Sequence, residues 1–131
     1  MAIFNAIGVA GTGATVYRKW LDAVSDNIAN MNNVSRTSED AFQARYLVAQ
    51  SAQDGNGAEV GGIALGNAQG RLVHEPDHPL ADAEGYVRYP DIDLSSQMNQ
   101  MIIAQRAYQA NIAVVDRARD AYQAAIQLGS K

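Results

Sequence analysis

The chain has 131 residues and a formal net charge of −4, with 14 acidic residues, 10 basic residues and no cysteine. The absence of cysteine excludes disulfides and thiolate metal sites, and the acidic balance argues against a nucleic-acid partner. No segment approaches the roughly 20 apolar residues that a membrane span needs, so we expect no direct membrane insertion.

The first predicted element is a long helix. Apolar or small residues recur at alternating spacings of four and three, which is the seam pattern of a coiled coil over about four heptads. We predict one helix over residues 3–32, ending where asparagines tolerate a left-handed cap and weakened near its start by Gly8, Gly11 and Gly13. The predicted seam consists of Ile3, Ile7, Ala10, Ala14, Tyr17, Leu21, Val24, Ile28 and Met31.

Residues 34–90 follow a different pattern, which predicts a small β-rich or irregular insert. Residues 42–48 combine aromatic and branched side chains suited to a strand, and residues 54–57 carry a turn signal. Further short apolar segments separated by glycines lie between residues 60 and 73. Residues 86–89 alternate once more before Pro90.

A second long helix is predicted after Pro90, with Asp91 or Asp93 as its N-cap and Gly129 beyond its end. At 1.5 Å per residue it would be roughly 50 Å long. Polar residues on a helix seam commonly fix the register of the pair, a role that we predict for Gln105 and Arg119. The predicted seam consists of Leu94, Met98, Met101, Gln105, Tyr108, Ile112, Val115, Arg119, Tyr122 and Ile126.

These elements predict a mainly α protein in which two long terminal helices pair as an antiparallel coiled coil around the central insert. We assign residues 1–33 and 91–131 to a discontinuous helical assembly domain and residues 34–90 to the insert. One helix pair is too thin to bury both of its faces, which favours assembly over a monomeric hairpin. Small residues off the second seam would let another helix approach closely: Ala107, Ala110, Ala113, Ala121 and Ala124.

Three segments with residue types suited to chemistry do not form the corresponding sites. Residues 8–15 differ from a phosphate-binding loop because Ala14 stands where the lysine is required. The two histidines of residues 74–78 cannot share a helix face, since Pro76 prevents the helix. The acidic residues before the second helix are better explained as caps than as an acid–base pair. We therefore predict no catalytic residue, no cofactor and no metal site.

Three stretches resemble the bacterial flagellar axial proteins of the rod and hook. Residues 25–33, Ser-Asp-Asn-Ile-Ala-Asn-Met-Asn-Asn, are similar to their Asn-x-Ala-Asn signature, with Asn33 where threonine is usual. Residues 105–111, Gln-Arg-Ala-Tyr-Gln-Ala-Asn, match their C-terminal signature. Residues 74–90 resemble the segment characteristic of flagellar basal-body proximal rod proteins of the FlgC type. The resemblance covers essentially the whole chain.

This resemblance implies a structural subunit of the proximal rod and not an enzyme. Such proteins are exported unfolded, without a cleaved signal peptide, through the flagellar type III export apparatus to the basal body, where the rod crosses the periplasmic space. The implied partners are other copies of the chain, other proximal and distal rod proteins, and the MS-ring–rod junction protein. Another flagellar rod protein, or a small helical-hairpin adaptor or chaperone, is the alternative.

The candidate functional residues are accordingly those that assemble the helices. Seam residues would hold the two helices together, and Asn27 and Asn30 would tie the end of the first helix to the following loop or to a neighbour. A plain helix cap would explain Asn30 nearly as well. The predicted set is Leu21, Val24, Asn27, Ile28, Asn30, Gln105, Tyr108, Gln109, Asn111, Ile112, Val115 and Arg119.

Overall fold

A computed structural model describes residues 2–130 and contains two long helices and two separate two-stranded antiparallel sheets. The prediction of two long terminal helices around a small β-rich insert is confirmed in outline. Residues 1 and 131 of the predicted helical domain lie outside the described residues. In chain order the elements are α1 (Ala2–Asn30), β1 (Arg45–Ser51), β2 (Ala58–Leu65), β3 (Arg71–His74), β4 (Tyr86–Tyr89) and α2 (Leu94–Gly129).

The helix ends reflect their local sequences. The carboxylate of Asp93 accepts a hydrogen bond from the backbone N–H of Ser96 at 2.8 Å, so Asp93 caps α2. The left-handed asparagine cap predicted for α1 is wrong, because no non-glycine residue in the described range has a positive φ. Instead, α1 ends in a tight turn in which the backbone N–H of Asn33 bonds to the carbonyl of Asn30 at 3.0 Å.

The two helices pack side by side and run antiparallel. At one end the rings of Phe4 and Tyr122 meet edge to face, with their centroids 5.1 Å apart. At the other end the side chains of Asn27 and Gln97 are hydrogen-bonded at 2.9 Å. With 1.5 Å of rise per residue, the helices are therefore in contact over about 35 Å.

All the seam positions predicted on the first helix are buried or half-buried. Ala10, Ala14 and Val24 are buried against the rest of the chain, and the other predicted positions are half-buried. From Met98 onward, the seam of α2 differs from the prediction at every second position, and Leu94 is exposed as well. Gln105, Ile112 and Arg119 are exposed, and the inner face is formed one residue earlier. Its buried or half-buried positions include Gln97, Met101, Ala104, Tyr108, Asn111, Val115, Ala118 and Tyr122.

Side-chain size explains this rotation of α2. Two of the four inner positions that replace the predicted ones, Ala104 and Ala118, are alanines, and Ala104 is fully buried. Opposite them, a Cβ atom on Gly13 would lie 2.7 Å from the side-chain oxygen of Asn111. The helices thus approach each other closely at positions where a large apolar side chain does not fit, and Met98 and Ile112, one residue later, are exposed.

The first hairpin, β1 and β2, lies along α1. Its register runs from Arg45 opposite Leu65 to Ser51 opposite Ala58, with a bulge after Val48. At its tip, the backbone N–H of Ala58 donates to the hydroxyl of Thr12 at 3.2 Å. The hairpin is therefore attached to the helix by its turn as well as by its base.

The second hairpin, β3 and β4, is organised by the carboxylate of Asp82. That carboxylate accepts hydrogen bonds from the backbone N–H groups of Tyr86 at 2.8 Å and Glu84 at 3.1 Å. Its other oxygen accepts from the hydroxyl of Thr37 at 2.9 Å. Asp82 therefore joins the loop between the two strands to the segment that follows α1.

These bonds predict an acid-sensitive contribution to stability. The backbone N–H of Tyr86 lowers the pKa of Asp82 below its ordinary value of 3.8, against an opposing effect of desolvation. A carboxyl whose pKa is lower in the folded chain stabilises that chain above the unfolded pKa, and the contribution is lost as the pH falls through the folded pKa.

We expect the wild-type chain to be more stable than Asp82→Asn by a constant amount above about pH 5. The difference should shrink as the pH falls below 3.8. Urea denaturation of both chains across the acidic range measures it, and the values at neutral pH serve as the internal reference. A difference that grew on acidification would contradict the assignment.

Candidate assembly site

The side-chain amide of Asn27 joins three elements of the fold. Asn27 is 0% exposed, and its amide nitrogen donates to the side-chain oxygen of Gln97 at 2.9 Å and to the carbonyl of Arg45 at 3.0 Å. Its amide oxygen accepts from the backbone N–H of Arg45 at 2.7 Å. One residue of α1 is therefore bonded to α2 and to the first residue of β1, in a network that excludes water.

The partners of Asn27 are themselves held in place. Gln97 is 2% exposed, and its backbone N–H bonds to the carbonyl of Asp93 at 3.1 Å, within the first turn of α2. One turn further along, the indole N–H of Trp20 donates to the side chain of Gln100 at 3.4 Å. Because these buried polar groups match in one register only, sliding α1 along α2 would leave them unpaired.

An ion pair beside this network adds little. The guanidinium of Arg45 lies 2.7 Å from the carboxylate of Asp26, but both side chains are exposed. Exposed pairs of this kind contribute about 0–1 kcal/mol. The attachment of the insert to the helices therefore rests on the buried amide and not on the charges.

The two asparagines predicted to tie the end of the first helix have different hydrogen-bond partners. Asn27 makes the connection described above, whereas the side chain of Asn30 donates to the carbonyl of Asp26 within its own helix at 2.8 Å. Sequence reasoning missed Gln97, because it lies one residue before a predicted seam position. The repeat of Gln97, Ala104, Asn111 and Ala118 at seven-residue intervals is the signal that could have revealed it.

The predicted residues in the middle of the two helices line a groove between them. The half-buried Tyr108 and Val115 lie on α2, and the exposed Ile112 is at the rim. The opposite wall is α1, with small residues and the exposed Arg18. On α1, Val24 is buried, and Leu21 and Ile28 are half-buried.

The two polar residues predicted on the seam of α2, Gln105 and Arg119, do not face α1 but are exposed. Gln105 and Gln109 are exposed, and the exposed Arg119 has carboxylates of its own helix 3.8 and 4.0 Å away. The register role predicted for Gln105 and Arg119 is therefore corrected. The polar side chains that face α1 include Gln97, Gln100 and Asn111, and Asn111 also donates to the carbonyl of Ala107 at 2.9 Å.

The outer side of α2 exposes large apolar side chains along its whole length. One of them, Ile112, also lies at the rim of the groove against α1. A soluble monomer rarely exposes contiguous apolar surface of this kind unless a partner covers it. The exposed residues are Leu94, Met98, Ile102, Ile103, Ile112, Val114, Ile126 and Leu128.

The segments considered for ligand chemistry serve the fold. Residues 8–15 are helical, and His74 packs its ring against Tyr86 with centroids 5.0 Å apart. The ring nitrogen Nδ1 of His78 accepts from the backbone N–H of Leu80 at 3.1 Å. Across residues 2–130, no three His, Cys, Asp or Glu side chains are grouped closely enough to hold a metal ion. In the same range, neither helix is both long and apolar enough to cross a membrane.

Comparisons with known proteins point to one family. A family model described as flagellar basal body rod FlgEFG protein C-terminal matches residues 83–128. The flagellar basal-body rod protein FlgC of Yersinia enterocolitica is 33% identical over 133 residues, covering 98% of this chain and 99% of the relative. The FlgC proteins of Salmonella typhimurium, at 32% over 133 residues, and Bacillus subtilis, at 28% over 149 residues, match with the same coverage of both chains.

Removing the Asn27 side chain tests the network. Asn27→Ala leaves the N–H and carbonyl of Arg45 and the amide oxygen of Gln97 without their partner, so we expect the free energy of unfolding to fall by at least about 2 kcal/mol. Asn30→Ala, the same change one turn later, removes only a bond within the helix and should cost no more than about 0.5 kcal/mol. Urea denaturation of the two variants measures both. Equal losses would contradict a special role for Asn27.

Proposed function

The chain belongs to the FlgC family of flagellar basal-body rod proteins, and we propose on this basis that it is a non-enzymatic structural subunit of the proximal rod. The observation that carries the proposal is the match to FlgC relatives over 98% of the chain. The shape of the molecule supports it, because two long paired helices with an uncovered apolar side suit lateral and lengthwise packing into a tube.

The proposed assembly unit is the α1–α2 pair, acting as an antiparallel coiled coil. The inner face of the pair holds the two helices together, and the Asn27 network sets their register. The outer apolar side of α2 would be buried against neighbouring subunits, since each buried aliphatic side chain contributes about 1.5–3 kcal/mol. Among the predicted assembly residues, Gln105, Gln109 and Ile112 lie exposed on α2 and are available to a neighbour.

The proposed partners follow from the same role. They are other copies of the chain, other proximal and distal rod proteins, and the MS-ring–rod junction protein. The subunit would reach the rod, in the periplasmic space, through the flagellar type III export apparatus and without a cleaved signal peptide. The glycines at positions 8, 11 and 13 of α1 support export as an unfolded chain, because each weakens the helix by about 1 kcal/mol relative to alanine.

Substitutions at two equally exposed valines can distinguish an assembly contact on α2 from one on the insert. Val114 on α2 and Val48 on β1 are each 47% exposed, so lysine at either position should change the stability of the monomer by no more than about 0.5–1 kcal/mol. No acidic residue lies three or four positions from Val114. A lysine there would therefore be buried without a partner on assembly, at a cost of about 3–5 kcal/mol.

We expect Val114→Lys to be secreted but to leave cells non-motile, whereas cells with Val48→Lys should swim. Swimming, secreted protein and thermal unfolding are measured in cells that carry each variant in place of their own copy. Normal swimming with Val114→Lys would contradict the proposed helical contact surface. Loss of swimming with Val48→Lys alone would place the contact on the insert instead.

A further inference from the structure

The tip of the first hairpin carries the only Asn-Gly step of the chain, Asn56–Gly57. Asn56 is exposed, and its backbone N–H donates to the carboxylate of Asp54 at 3.0 Å. Across residues 2–130, the side-chain amide of Asn56 makes no hydrogen bond. The carbonyl carbon of this side chain is therefore accessible to a nucleophile.

The backbone nitrogen of Gly57 is a nucleophile in position to react with it, because attack on the side chain of the preceding asparagine closes a cyclic imide. Within the described residues the N–H of Gly57 has no acceptor, whereas the N–H of Gly55 donates to the carbonyl of Ala52 at 2.9 Å. Glycine also has no Cβ atom to hinder ring closure. The Asn56–Gly57 step is therefore freer to react than the Asp54–Gly55 step of the same turn.

We propose that Asn56 is a site of spontaneous deamidation, and that the isoaspartate formed there releases the hairpin tip from α1. The nitrogen of Gly57 bonds to the side-chain carbonyl carbon of Asn56, the bond from that carbon to the amide nitrogen breaks, and ammonia leaves with the proton of Gly57. Water then opens the resulting succinimide at one carbonyl to give aspartate or at the other to give isoaspartate. The reaction needs only water, and it does not depend on the proposed function.

The surroundings of Gly57 explain why the modification would release the tip. Gly57 has a φ of 112° and lies so close to α1 that a Cβ atom on it would overlap the side chain of Thr12. The next N–H, that of Ala58, donates to the hydroxyl of Thr12 at 3.2 Å, and this hydroxyl donates to the carbonyl of Val9 at 2.7 Å. Isoaspartate adds one carbon to the main chain immediately before this contact, a length of about 1.5 Å. The tight approach to Thr12 cannot be kept with that addition.

Ageing of the purified chain tests the reaction. The chain is incubated in mildly alkaline buffer at physiological temperature, and peptides are mapped by mass spectrometry with fragmentation that distinguishes aspartate from isoaspartate. We expect both products to accumulate at Asn56, while Asn67 and Asp54 remain unchanged over the same time. Asn56→Ser, which cannot form the ring, should show no modification in this peptide. Modification of Asn67 ahead of Asn56 would overturn the inference.

Hydrogen exchange of the Ala58 amide tests the release of the tip. The isoaspartate form carries one more negative charge than the unmodified chain and can be separated from it by ion exchange. We expect its Ala58 amide to exchange about two- to tenfold faster, the factor that corresponds to losing one hydrogen bond. Freshly prepared Thr12→Val, which lacks the accepting hydroxyl, should show the same acceleration.

Freshly prepared Asn56→Asp is the matched control, since it has the added charge but an ordinary main chain. Its Ala58 amide should exchange at the rate of the unmodified chain. An isoaspartate form that kept the slow exchange would contradict the release of the tip. Equal acceleration in fresh Asn56→Asp would assign the effect to charge and would overturn the role of the added carbon.

Discussion

The buried amide of Asn27 is the contact on which the arrangement of this molecule depends. It meets α2 through Gln97 and the beginning of β1 through the backbone of Arg45, with no exposure to solvent. Each hydrogen bond contributes only about 1 kcal/mol net, but each buried group left without a partner costs about 1–3 kcal/mol. The network therefore acts mainly by penalising other arrangements. It selects one register for the helices and one point at which the insert leaves them.

The position of the insert follows from that contact. Bonded to Asn27 at its base and to Thr12 at its tip, the first hairpin runs along α1 and leaves α2 largely uncovered. A separate network around Asp82 ties the second hairpin to the segment after α1. The insert thus shields one helix and not the other, which explains why the large exposed apolar side chains of the helix pair are concentrated on α2.

The distribution of polarity along α2 connects the fold to assembly. The most deeply buried residues of this helix are Gln97 and Ala104, and many of its large apolar side chains are exposed, where the isolated subunit cannot bury them. Its charged residues are confined to the middle of the helix. Under the proposed function, α2 would hold α1 on one side and offer neighbours an apolar surface on the other.

The sequence by itself determined the two helices, a cap at either Asp91 or Asp93, the β-rich character of the insert and the family, because periodicity, local hydrogen bonding and short motifs depend on nearby residues. It also placed the seam of α1. Only the tertiary structure decided which face of α2 meets α1. The spacing of the seam favoured Met98, Gln105 and Ile112, whereas close packing and hydrogen bonding against α1 select Gln97, Ala104 and Asn111. The tertiary structure also decided which of Asn27 and Asn30 connects the helix to the rest of the chain. Both lie in one sequence motif, but only Asn27 has partners from distant parts of the chain within reach.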